Sequence, residues 1–227
     1  MRRFFIISAF VLSFFSFAET AEARERGFKA LFNGKDFSGW IGSLDGYEIK
    51  DGAIYAREGF NNIYTEKEYK DFILRFEFCF DVQGVNSGIG IRTPMGVDAA
   101  YHGMCEVQIL DHDAPIYKGL RDYQVHGSVY GIAPAKRITH KDFGQWTSQE
   151  IKVVGDRVTV TVDGEVVVDV DVREACQGKN VGESNNGRNP FTYDGYDHPG
   201  LFNTEGHIGI LGHGEGVRFR NIRIKSL

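Results

Sequence analysis

Glu106 and Gln108 stand two residues apart in the run YHGMCEVQILDHDAP, residues 101–115, among the groups in this chain best able to move a proton or hold a polar ligand. Side chains two apart on a strand share a face. Cys105, Val107 and Ile109 therefore suit a core, while Glu106, Gln108 and Leu110 point the other way. The same alternation in GHIGILGHG sets Ile208 and Ile210 inward and gives His207, Gly209, Leu211 and His213 to the opposite face. In GIGIRT, Arg92 lies opposite Ile89 and Ile91. If these strands share a sheet, its outer face gathers Arg92, Glu106, Gln108, His207 and His213: a carboxylate, a cation, an amide and two imidazoles. Glycines between them leave room for a ligand. A merely solvated sheet face runs instead to Lys, Glu, Thr and Ser.

Ordinary glycosidase chemistry fits this row poorly. It needs two carboxyls, about 5 Å apart for retention and under about 10 Å for inversion. The next acid, Asp111, has the opposite parity and lies roughly 17 Å along an extended strand. A partner acid would have to come from another strand, with Glu77 as one candidate. Asp111, His112 and Asp113 could hold a metal, but acidic turns at strand ends are commonplace, and shaping the rim is the simpler role. His126 in YQVHGSVYG reads as a pocket residue. Asn86-Ser87 reads as a turn that orients the Arg92 strand. Trp40 and Trp146 could be sugar platforms, although FSGW and FGQW set both beside strands, where packing is the commoner role. The candidate catalytic set is Glu106, His207 and His213. The candidate substrate-binding set is Arg92, Gln108, Asn86, His126, Tyr130 and Trp146.

The elements that must position these groups are strands. YEIKDGAIYA reads as a hairpin around Asp51-Gly52. DFILRFEFCF puts Phe72, Leu74, Phe76, Phe78 and Phe80 on one face, with Arg75 and Glu77 on the other. QEIKVVGDRVTVTVDGEVVVDVDV reads as a meander turning at Asp163-Gly164. EKEYKDF could give one short helical turn. Many short strands with glycine punctuation imply an all-β sandwich or barrel. Residues 173–206 break the rhythm: polar, glycine-rich and barely alternating, yet holding Tyr193, Tyr196 and His198. Long loops in compact domains are usually functional, and this one reads as a loop that covers a site.

The 227 residues carry a formal net charge of -5, with 42% hydrophobic and 13% aromatic residues, which is enough for a sizeable core. No Lys/Arg cluster could neutralise a row of phosphates, so nucleic acid is not an expected partner. RFRNIRIK is basic but alternates as a strand does. Residues 1–23 read as a signal peptide: Arg2 and Arg3, an apolar run from Phe4 to Phe17, then a cleavage site at Ala21-Glu22-Ala23 or Ser16-Phe17-Ala18. The run is too short for a comfortable membrane span, and no Cys follows either cut to take a lipid. The mature chain, 24–227, is expected to be one exported domain, periplasmic or extracellular. Cys79, Cys105 and Cys176 are an odd set, poor for disulfides and best read as buried thiols.

LFNGKDFSGW, DFILRFEF, NSGIGIR, CEVQILD, GSVYGI, GQWTSQEIKVVGDRVTVTVDGEVV and GHIGILGHGEGVRFRNIRIKSL succeed one another in an order that resembles the 3-keto-disaccharide hydrolase family, from about Phe28 to Leu227. The resemblance implies a concanavalin A-like jelly-roll β-sandwich of two antiparallel sheets. It also implies cleavage of glycosides whose sugar carries a ketone at C3. Some members have Gln and Asp where Leu211 and Gly212 stand here. A C3 ketone acidifies the C2 hydrogen, so a base can remove it, the C1 substituent leaves, and water adds to the enone. One base, a group for the developing oxyanion and a proton donor suffice. Glu106 would be the base or a metal ligand, Arg92 and Gln108 would hold oxygens, and His207 or His213 would be the acid or a second metal ligand. A divalent metal is the one candidate cofactor. The expected partners are a 3-keto-glycoside substrate and a sugar 3-oxidoreductase that makes it. The alternative is a non-catalytic carbohydrate-binding module on the same face, and a conventional endoglucanase is a third reading.

Overall fold

Period-2 alternation buries one face of each strand, so the chain closes as two sheets around a single apolar layer. The computed structural model describes residues 27–57, 59, 62–180 and 187–227, and the expected signal peptide lies outside them. Its strands are β1 Lys29–Ala30, β2 Trp40–Gly42, β3 Tyr47–Lys50, β4 Ala53–Ala56, β5 Asn62–Tyr69, β6 Phe72–Phe80, β7 Asn86–Thr93, β8 Cys105–Leu110, β9 Thr147–Val154, β10 Arg157–Val162, β11 Glu165–Asp171, β12 Gly206–Gly212 and β13 Val217–Ser226. Two single-turn helices, α1 Ala99–His102 and α2 Val172–Ala175, sit between strands.

The larger sheet runs β11-β10-β9-β6-β13-β4-β3, with β1 added on β13. The smaller runs β2-β5-β12-β7-β8. Every pairing of named strands is antiparallel. Phe72, Leu74, Phe76, Phe78 and Phe80 of β6 face Ile89, Ile91, Cys105, Val107, Ile109, Ile208 and Ile210 of the smaller sheet across the core. Each such burial contributes roughly 1.5–3 kcal/mol. The far side of the larger sheet is an ion-pair ladder, Arg75–Glu150 and Arg220–Glu77, both at 2.6 Å. Glu77 therefore sits on the wrong sheet and is paired to an arginine, so it cannot be the partner of Glu106.

Asp51-Gly52 turns β3 into β4, and Asp163-Gly164 turns β10 into β11, each pair with both φ angles positive. Those are the mirror-image turns that match strand twist. The expected helical turn in EKEYKDF does not form: Glu66, Lys67 and Glu68 continue β5, held by pairing to β12. All three cysteines are free and buried, and burial pushes the Cys105 thiol up to about 12. Among the described residues no helix is long and apolar enough to cross a membrane.

Candidate active site

Glu106 and Gln108 share the outer face of the smaller sheet, as parity requires, because β8 pairs β7 with Glu106 opposite Gly90 and Gln108 opposite Gly88. The bare glycines of β7 determine where the carboxylate rests. A methyl group on Gly88 would overlap Glu106 Oε1, so the Glu106 side chain lies over the backbone of β7. Glu106 is 5% exposed, and its Oε1 is buried with no hydrogen-bond partner. A buried carboxylate oxygen left this way costs free energy unless something arrives to meet it. His213 Nε2 stands 3.7 Å away, at ion-pair range but beyond hydrogen-bond length. The neighbouring carboxylate raises the proton affinity of His213 by more than partial burial lowers it.

These residues line a cleft of about 380 Å³, with Asn86, Tyr101 and Tyr130. Gln108 donates from Nε2 to Asn86 Oδ1 at 2.7 Å. That bond leaves the Asn86 amide nitrogen and the Gln108 carbonyl to turn to a ligand. Residues 127–130 run along the free edge of β8, with Gly127 N donating to Gln108 O, Gln108 N to Ser128 O, and Tyr130 N to Glu106 O. This edge seats Tyr130 beside the carboxylate. Burial pushes the Tyr130 and Tyr101 hydroxyls up, so both are hydrogen-bond donors at any working pH. The other acid lining the cleft, Asp98, is the N-cap of α1 and accepts from Ala100 N at 3.0 Å.

Glu106, Gln108, His213, Asn86 and Tyr130 thus come together; four other expected site residues do not. Arg92 is 1% exposed and wholly enclosed. Its guanidinium donates to Lys70 O, Gly155 O, Asn203 O and Asp71 Oδ1. The cause is a β-bulge: β12 spends one residue between His207 and Gly209 where β7 spends two between Thr93 and Gly90, and Arg92 takes φ +46 there. A bulge re-aims a side chain, and this one sends Arg92 away from the cleft. His207, at the far end of β12, bonds through Nδ1 to Thr65 O at 2.8 Å and faces Glu68 at 3.3 Å. His126 is in the core, its ring tilted against Phe78 with centroids 4.9 Å apart. Trp146 lies over Arg218 and Arg220 of β13, part of the other sheet. Trp40 is buried, with Nε1 donating to Leu31 O.

Asp111, His112 and Asp113 close a turn: Asp111 Oδ2 accepts from Gly84 N, His112 bonds Ile138 O and His126 N, and Asp113 pairs with Arg137. Among the described residues no three His, Cys, Asp or Glu side chains converge as ligands for a metal ion. Of the three such groups lining the cleft, Asp98 is engaged as the N-cap of α1, which leaves Glu106 and His213; that donor set does not fit a resident metal, and no step is derived through one. A larger groove of about 770 Å³ between β1, β5 and the end of β13 is lined by the exposed charges Lys29, Glu66, Lys67 and Glu68. It lacks a buried, unmet acid.

Tyr101 was not among the residues picked out by alternation. It sits on α1, where no strand parity applies. The one available signal was its place beside the Glu106 strand.

Residues 27–225 match the family model described as the 3-keto-alpha-glucoside-1,2-lyase-like domain. The chain is 28% identical to a 3-keto-disaccharide hydrolase of Bacteroides thetaiotaomicron, over 88% of this chain and 79% of that one. It is also 28% identical to a candidate glycosyl hydrolase of known crystal structure from Parabacteroides distasonis, covering 89% of this chain and 100% of the other, with a TM-score of 0.72. A Bacillus subtilis protein of galectin-like fold superposes with a TM-score of 0.52 at 12% identity, over 88% of this chain and 94% of its own. That likeness concerns the fold alone, and it agrees with the lectin-like sandwich expected from the sequence.

Proposed function

The chain belongs to the 3-keto-disaccharide hydrolase family, and from that premise we propose that it cleaves glycosidic bonds of sugars oxidised at C3, by elimination and hydration. The observation that carries this reading is the buried Glu106 carboxylate, its Oε1 without a hydrogen bond and at ion-pair range of His213, in a cleft whose other acid, Asp98, caps a helix. Displacement at C1 needs two free carboxyls; elimination across C1–C2 needs one base.

Glu106 takes the C2 proton, and the electron pair moves into the C3 carbonyl to give an enediolate. The pair returns to expel the C1 oxygen, which takes a proton from His213. Water then adds across the resulting enone: its oxygen bonds C1 while one of its protons returns to His213, and C2 takes a proton from the Glu106 carboxyl after that carboxyl has exchanged with solvent, which restores both groups. Tyr130 donates a hydrogen bond to the developing oxyanion, and Asn86 and Gln108 hold sugar hydroxyls through their free amide ends. Such preorganised donors in a dry cleft act mainly on the charge that develops in the transition state. The name 1,2-lyase in the family description suits an elimination. Also proposed are export of the mature chain, supported by the apolar run in residues 1–23, and a partner oxidoreductase that supplies the ketone.

The test is turnover of a 3-keto-glucoside by the purified protein and by Glu106→Gln. A general base contributes on the order of 10²- to 10⁴-fold, so a loss of that size is expected. Undiminished turnover by the variant removes Glu106 from the role. Glycan binding without cleavage by the parent protein points to the carbohydrate-binding alternative.

A further inference from the structure

We propose that Asp194 and His198 are positioning residues that hold Tyr101 in the cleft, and that the Tyr101 hydroxyl contacts the substrate. This deepens the elimination reading and rests on it for the substrate. Both side chains are sealed, Asp194 at 1% and His198 at 0% exposure. His198 Nε2 meets Asp194 Oδ2 at 3.1 Å, and Nδ1 meets Ala100 O, in α1, at 3.2 Å. The imidazole also carries the Tyr101 ring, with centroids 4.6 Å apart.

Around this pair the segment is fastened to the cleft wall. Asp194 Oδ1 accepts from Tyr196 N at 2.9 Å, and Asp194 N donates to Gly131 O at 3.0 Å. Gly200 N donates to Tyr101 O at 2.9 Å, and Asn203 Nδ2 to His102 O at 3.0 Å. Gly131 and Gly200 permit the approach: a Cβ on the first would collide with the His198 ring, and on the second with His102 O.

A buried carboxylate–imidazole pair is weak evidence for stability, because apolar side chains of similar volume often serve as well. Its placement is the informative part. The pair sits between α1, which bears Tyr101, and the Gly131 turn next to Tyr130, and the two tyrosine rings meet edge-on at 6.5 Å. The described part of the long polar segment therefore supports the wall of the site from behind, through α1 and the Gly131 turn. It sets Tyr101 as a second phenol donor beside Glu106.

The experiment is a double-mutant cycle on a 3-keto-glucoside with Tyr101→Phe and His198→Phe, Glu106→Gln being the control. His198→Phe keeps a ring under Tyr101 and deletes both polar contacts. Each single change is expected to lower kcat/KM on the order of 10- to 100-fold, as misplacement of a substrate contact does. The double variant is expected to be no worse than the poorer single, because one residue acts through the other. Multiplicative losses, or a wild-type kcat/KM in either single variant, overturn the proposal. Asp194→Asn keeps an acceptor for His198 and is expected to retain most activity, whereas Asp194→Ala does not; this comparison decides the matter if His198→Phe fails to fold. Hydrogen exchange reads positioning without any turnover. The amides of 99–102 are expected to lose protection in Asp194→Ala while those of β8 keep it, and unchanged protection overturns the proposal. If the parent protein fails to turn over the substrate, the reaction reading falls alone and the exchange result still decides the role of the pair.

Discussion

Gly88 of β7 and Glu106 of β8 are diagonal neighbours, and the missing side chain of one sets the position of the other. Gly88 has no positive φ, so alanine fits its backbone. The Glu106 side chain has to move from Cγ outward. Gly88→Ala should therefore lower kcat/KM on the order of 100-fold while costing roughly 1–3 kcal/mol in stability, read by steady-state kinetics and by a denaturant melt. Full activity in this variant contradicts the assigned place of Glu106. Strand parity made Glu106 and Gln108 legible as one face, and it placed His213 with them. It could not find Tyr101, which stands on a single helical turn, or the bond from Gln108 to Asn86, which joins side chains from two strands. Nor could it separate His213 from His207, because both belong to β12 or its end and only the neighbours Glu106 and Glu68 tell them apart.

At the scale of the element, the bulge on β7 matters most. Alternation assigned Arg92 to the cleft, and alternation fails where one strand spends an extra residue. Sequence periodicity contains no mark of that residue. The positive φ of Arg92 is unusual for a long side chain and marks a position fixed by its surroundings. Its partners are the chain around Lys70, the β9–β10 turn at Gly155 and the segment at Asn203, so it ties the ends of both sheets together. Arg92→Ala removes the donor that meets the carbonyls of Lys70, Gly155 and Asn203, while Asp71 keeps Gly155 N, and each buried carbonyl left unmet costs roughly 1–3 kcal/mol. Thermal unfolding should show a large loss of stability in Arg92→Ala. Unchanged stability together with a raised KM returns Arg92 to a binding role. The hairpins were legible because Asp-Gly turns carry their own chemistry. The β5 extension through Glu66–Glu68 was not, because pairing with β12 outweighed a local helical composition.

Over the whole molecule, the all-β class and the buried thiols come from alternation and cysteine number and the two-sheet sandwich from the family resemblance, whereas the histidine cluster comes from neither. His112, His126 and His140 cluster at one end of the core, with ring centroids 4.3 Å and 5.2 Å apart along the row. Phe78, Phe80, Gln149, Asp111 and Asp113 surround them. Burial is the first cause in each case. It holds His112 below the ordinary imidazole range, His126 well below it, and His140 at about 4. The unfolded chain therefore binds more protons than the folded one between about pH 6.5 and 4, and stability falls as pH drops through that window. His213, held in the opposite direction and partly exposed, opposes this only weakly. Thermal melts between pH 7 and 4.5 should show a falling Tm, with His140→Asn flattening the slope; a Tm that rises on acidification contradicts the cluster's role.

The claim on which the rest depends is that the cleft removes hydrogen from C2, and a 3-keto-glucoside labelled with deuterium at C2 tests it directly. Following turnover in ordinary water, we predict a primary isotope effect on kcat, released sugar that has exchanged its C2 deuterium for solvent hydrogen, and cleavage and exchange slowed together on the order of 10²- to 10⁴-fold in Glu106→Gln. Sugar released at an unchanged rate with its C2 deuterium intact contradicts the account.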